Sequence, residues 1–148
     1  MRKSILLMIL LFFVIMLTAC KHVEDTNGTD DYTIQTYTDA DILSNHNKYV
    51  VVGMVQTSLR NQGKFNASKL SGVCKIDQVN AKNETITFDL DVKCENDNMK
   101  VVLIHGDKII KDFKINSQET YTIENANGKY ILKVVGESAK FKINYVIS

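Results

Sequence analysis

Residues 85–94 alternate without a break: Ile86, Phe88, Leu90, Val92 and Cys94 fall on one side, Thr85, Thr87, Asp89, Asp91 and Lys93 on the other. A period of two predicts a strand with one face in a core and the other in water. Residues 140–147 repeat the pattern, with Phe141, Ile143, Tyr145 and Ile147 set against Lys140, Lys142 and Asn144. Between these segments, 100–105, 108–115, 120–124 and 129–135 are apolar-rich runs bounded by turn formers: Glu95 to Asn98, Gly106-Asp107, Asn116-Ser117, Asn127-Gly128 and Gly136 to Ser138. Gly106-Asp107 suits a type II′ hairpin, because Gly takes the first central position, where φ is positive. Upstream, 49–59 and 73–79 also read as strands, and the connection at 64–70 has room for a short helical turn. About eight short strands at roughly 8–12-residue spacing, with no competing amphipathic stretch, predict an all-β fold: a single antiparallel β-sandwich over 42–148, or a barrel.

The first twenty residues break this pattern. Arg2 and Lys3 precede an unbroken apolar run from Ile5 to Leu17, thirteen residues long. That falls short of the ~20 residues a membrane-spanning helix needs, but it matches the apolar region of a secretory signal peptide behind a basic start. Leu17-Thr18-Ala19-Cys20 follows directly and resembles the lipobox of bacterial lipoproteins. The resemblance implies cleavage after a signal peptide of residues 1–19, a diacylglycerol thioether on Cys20, and acylation, such as palmitate, at its new amino group. Two or more acyl chains anchor stably where one is marginal. It therefore implies a protein held by Cys20 in the bacterial cell membrane, facing its extracytoplasmic side.

Charge then separates into parts. The whole chain has 148 residues, 45% apolar and 24% charged, with a net charge of +1 and no Pro. That size fits one domain, and the balance speaks against nucleic acid as a partner. Residues 1–19 carry two of the 18 basic and none of the 17 acidic residues, leaving 16 against 17 from Cys20 onward. Residues 21–41 hold Lys21 alone against Glu24, Asp25, Asp30, Asp31, Asp39 and Asp41. Such low hydrophobicity predicts a flexible acidic tether over 20–41, reaching about 25 Å as a coil. The remaining 42–148 carries 15 basic and 11 acidic residues, a net of +4. Within the tether, residues 32–38 have the composition of an edge strand.

Cys74 shares parity with Ile76, and Cys94 with Leu90 and Val92, so both thiols are expected to face the core. In an oxidising compartment a Cys74–Cys94 disulfide is the expected pairing, worth about 3 kcal/mol by loop entropy; two buried free thiols are the alternative. Two cysteines without a clustered His fall short of a structural zinc site.

Catalytic patterns are missing. His22, His46 and His105 show no metal-binding spacing, and no G-x-S-x-G elbow, P-loop or G-x-G-x-x-G occurs. No catalytic residue, metal or cofactor is expected, and the chain reads as a non-enzyme. Asp89 and Asp91 share one strand face ~7 Å apart and form the best carboxylate pair, with Asn96, Asp97 and Asn98 as further oxygen donors for calcium; solvation is the simpler reading. Lys129, Lys133, Lys140 and Lys142 suggest an outward basic stripe toward an anionic wall polymer or phospholipid, or a solubilising edge.

Met99 to Ile104, Gly128 to Gly136 and Ala139 to Ile143 resemble segments of small lipoproteins of low-GC Gram-positive bacteria. That resemblance implies a sandwich at the cell surface and carries over no site residues. Taken together, these features lead to a lipid-anchored extracytoplasmic binding or accessory module of the cell envelope. Its expected partners are the membrane through Cys20 and a cell-envelope protein or anionic wall polymer, with the ligand-binding residues unknown. The alternatives are an inhibitor of a wall hydrolase, of the kind found among lysozyme-inhibiting lipoproteins, and a β-barrel for a small apolar ligand.

Overall fold

A computed structural model of the chain describes residues 37–148; the expected signal peptide, Cys20, His22 and most of the tether lie outside the described residues. A short helix, α1 (Asp39–Leu43), precedes six strands: β1 (Lys48–Val52), β2 (Val55–Leu59), β3 (Gln62–Cys94), β4 (Met99–His105), β5 (Lys108–Phe113) and β6 (Ser117–Ile147). All pair antiparallel, in the order β1-β3-β6-β4-β5, with β2 also on β3.

Two strands carry most of the architecture. β3 and β6, of 33 and 31 residues, form one long ladder from Gln62 opposite Val146 to Val92 opposite Ser117. The ladder then closes on itself, because 88–94 pairs a second time, with 141–147. This curled sheet makes the two layers of a β-sandwich. One layer holds β2, 62–67, 141–147, 88–94 and 117–121; the other holds β1, 69–82, 128–136, β4 and β5. The turns expected at Asn127-Gly128 and at Gly136 to Ser138 lie within continuous β6, and the gap between the strands expected at 73–79 and 85–94 lies within continuous β3. Asn83, Asn125 and Ser138 take positive φ of 57°, 52° and 60°, and register shifts accompany the two asparagine bends, as an extra residue in one strand demands. Residues 64–70, expected to connect strands through a helical turn, are instead strand. They pair with β6 on one side and with β1 and β2 on the other, and that pairing overrides the weak β-propensity of Asn, Ala, Ser and Lys. Gly106 has φ 61° in the β4–β5 link, as the type II′ reading requires.

The facing sides of the layers share one core, in which Phe65, Phe88, Phe141, Tyr130 and Tyr145 are buried with Leu90, Leu103, Leu132 and Ile143. Phe65 meets Phe141 edge-on at 5.3 Å between centroids, a favoured aromatic geometry. Side chains of this bulk fill a sandwich interior, unlike the small inward residues of a ligand-holding barrel.

A second apolar cluster lies on the outer face of the second layer, where Ile42 of α1 packs with Val73, Val102, Ile104 and Val135. Residues 101–104 are therefore buried on both faces, which explains their unbroken apolar run. The folded unit accordingly starts before residue 42. Thr38 and Asp41, assigned to the tether by composition, form a capping box: the Thr38 N–H donates to Asp41 Oδ2 at 2.9 Å and the Asp41 N–H to Thr38 Oγ1 at 3.3 Å. The Thr38 hydroxyl, which donates to Asp41 Oδ2 at 2.6 Å, and after it the Thr38 N–H hold the Asp41 carboxyl below the usual range.

Candidate functional site

The core positions of 62–67, 141–147 and 88–94 point inward at every second residue, so their alternates form one outward face. Across it the registers set Thr57, Lys64, Asn144, Asp91 and Gln118 in one row, and Val55, Asn66, Lys142 and Lys93 in the next. The face is polar and divided by charge. At one end a cleft of about 430 Å³ is lined by Asp89, Asp91, Gln118, Asn144, Gln62 and Lys64. At the other a hollow of about 370 Å³ is lined by Lys93, Lys140, Lys142, Asn66, Ser68 and Glu95, over Ala67, Cys94 and Phe141.

The carboxylate end uses its charge internally. Asp89 accepts from Thr120 Oγ1 at 3.4 Å and Asp91 from Asn144 Nδ2 at 3.4 Å, and Lys93 Nζ lies 3.7 Å from Asp91. The loop oxygens named for calcium are also engaged: Asp97 Oδ1 accepts from Asn116 Nδ2 at 2.7 Å, and the Asn98 amide donates to the Glu137 carbonyl. Among the described residues no group of three or more His, Cys, Asp or Glu could hold a metal ion. Of the histidines, His46 is exposed, while His105 stacks on Tyr130 at 4.3 Å and bonds through Nδ1 to the Lys129 carbonyl.

The lysine end is different in kind. Lys142 and Lys93 are directly opposite across two strands, which sets like charges ~5 Å apart at their Cβ atoms and costs some tenths of a kcal/mol. Lys140 stands two residues from Lys142 on the same face, paired with exposed Glu95 at 2.8 Å. The hollow lies where strands cross between layers: β3 shifts register between Ala67 and Leu70, and β1 gives way to β2 at Gly53. Gly53 has φ 61°, and a Cβ there would stand 2.5 Å from Ser68 Oγ, so the bend needs glycine.

The expected stripe of four lysines is therefore corrected. Lys140 and Lys142 are exposed on this face with Lys93, and Lys129 is exposed on the other layer. Lys133 is buried under α1, where its Nζ donates to the carbonyls of Ile42 at 2.7 Å and Ser44 at 2.6 Å. An ammonium at these last carbonyls completes the end of the helix. Burial, with Lys75 adding repulsion, pushes its pKa down.

Cys74 and Cys94 do face the core, but they are free thiols in the structure. Cys74 pairs with Val134 and Cys94 with Phe141, at separate points of the ladder. Each thiol meets a local acceptor instead: Lys75 O at 3.6 Å from Cys74, Asn98 Oδ1 at 3.8 Å from Cys94. Burial pushes the Cys74 thiol pKa up. Lys93 joined the lysine hollow without any signal in its own strand, because only the β3–β6 register sets it beside Lys142.

No family model matches the chain, and no curated protein does. Among solved structures, the chain is similar to the crystal structure of the CBM36-1 domain of a multidomain xylanase from the hindgut metagenome of Trinervitermes trinervoides. Sequence identity is 18%, the match covers 69% of this chain and 95% of that one, and the TM-score is 0.35.

Proposed function

We propose that this chain is a lipid-anchored binding module of the bacterial cell envelope, held by Cys20, whose lysine hollow takes an anionic group of a wall polymer. The observation that carries the reading is the Lys93–Lys142 pair beside Lys140. Like charges placed directly opposite oppose folding on their own, and an anion seated between them turns the same arrangement into an attraction. Asn66 and Ser68 add hydrogen-bonding groups at the rim. The anchor rests on Leu17 to Cys20 behind the apolar run. Extracytoplasmic exposure follows from that anchor, and the filled interior of Phe65, Phe88, Phe141 and Tyr145 favours surface recognition over an enclosed apolar ligand.

The test compares the native lipidated protein with a Lys93→Gln/Lys142→Gln variant for binding to purified phosphodiester wall polymer, at low and at high salt. Retention that falls at least tenfold in the variant and weakens with salt, with unchanged thermal stability, is the expected result. Equal retention by both proteins would overturn the assignment of the hollow. A Cys20→Ser variant should leave the membrane pellet; if it stays there, the anchor is wrong.

A further inference from the structure

The described large apolar side chains that remain exposed lie on one strip. Tyr49, Val50, Val52, Met54, Val55 and Leu59 belong to β1, β2 and their link, and Val146 adjoins them; Val146 pairs with Gln62, which pairs with Leu59. Val50 is 65% exposed and Leu59 70%. From Tyr49 to Leu59 the chain has no charged residue and no Pro. Among the described residues both strands pair only with β3, so one side of each presents its backbone N–H and C=O groups unpaired. Natural sheets guard such edges with Lys or Pro. The opposite edge does so, since β5 carries Lys108, Lys111 and Asp112. An unguarded, apolar, uncharged edge is what strand addition uses.

We infer that β1 pairs antiparallel with β1 of a second copy of this chain, about a two-fold axis at Val50. Free backbone donors and acceptors require a strand as occupant, and the apolar, uncharged strip favours an apolar one; β1 meets both conditions over 49–52, with Lys48 at its end. The pairing sets Val50 against Val50, Tyr49 against Val51 and Lys48 against Val52, so no like charges face each other. It places the exposed Val50 side chain against its own equivalent, as a two-fold interface requires. A five-residue edge offers well under the ~800 Å² per partner of a stable complex, so the dimer is concentration-dependent. This pairing does not depend on the anion-binding reading.

Sedimentation of the detergent-solubilised full chain, from micromolar to near-millimolar concentration, should show a monomer passing to twice its mass. A Val52→Lys variant, checked for an unchanged circular dichroism spectrum and melting temperature, should raise the dissociation constant at least tenfold. Val50→Cys, in the opposed position, should crosslink to a dimer under mild oxidant while Cys74 and Cys94 remain shielded. A wild-type monomer throughout, or dimerisation untouched by Val52→Lys without Val50→Cys crosslinking, would overturn the inference.

Discussion

Replacing Lys133 with Met keeps the length and apolar stem of the side chain and removes its charge and donors. Two bonds are lost, to Ile42 O at 2.7 Å and Ser44 O at 2.6 Å. A hydrogen bond from a charged group contributes about 1.5–3 kcal/mol, and Met relieves the desolvation of an ammonium in a site 4% exposed. The net loss should be about 2 kcal/mol. With an unfolding entropy of ~2.1 cal/mol/K per residue, a domain of about 110 residues loses ~9 °C in melting temperature. The lesion is local before it is global. Hydrogen exchange at the amides of Ile42 and Ser44, which bond Thr38 O and Ala40 O at 3.1 Å each, should therefore accelerate more than exchange in β4. A second readout follows from the sign of the pKa change. Lys133 is depressed in the folded chain, so the unfolded chain binds its proton more tightly, and this residue's contribution to stability rises with pH toward the ordinary lysine value of about 10.4. The deficit of Lys133→Met should widen over that window. A variant within about 1 °C of wild type, with unchanged exchange in α1, would refute the claim that Lys133 holds the helix.

Two further outcomes are expected. Without reductant, neither Cys74 nor Cys94 should react with a maleimide in the native protein, and both should react after unfolding; mass spectrometry that finds both unreactive after unfolding would show the disulfide instead. Asp41 is held low by Thr38, so its contribution to the α1 cap is present above the ordinary carboxylate value and is lost as pH falls through the lower folded value. Protection factors in α1, which are corrected for the intrinsic exchange rate, should fall in acid for the wild type, and Asp41→Asn should lack that acid step.

Particular residues show where reading the chain succeeded and where it stopped. The alternation in 85–94 and 140–147 gave strand, facing and core membership, because a strand's two faces are set by its own sequence. Gly106 announced its hairpin for the same reason. In the runs 101–104 and 131–135, apolar residues at both parities mean a strand covered on both sides, and Lys133 within such a run means a charge held by something that packs on it. That something is α1, which starts one residue past Thr38, a residue that reads equally well as tether. Residues 64–70 misled because their composition disfavours a strand that neighbours on both sides enforce.

The chain by itself determined the all-β class, the inward and outward sides of its regular strands, the Gly106 turn and the parity of both thiols, since each follows from local periodicity and backbone sterics. Tertiary structure decided that the turns expected at Asn127-Gly128 and Gly136 to Ser138 lie within one continuous strand, and that Lys93 stands against Lys142 while Lys133 is buried. It also left Cys74 and Cys94 as free thiols and, among the described residues, β1 at an edge of the sheet. Those outcomes depend on which distant segments pair and in what register, and hydrogen bonds between distant strands leave no period in the sequence.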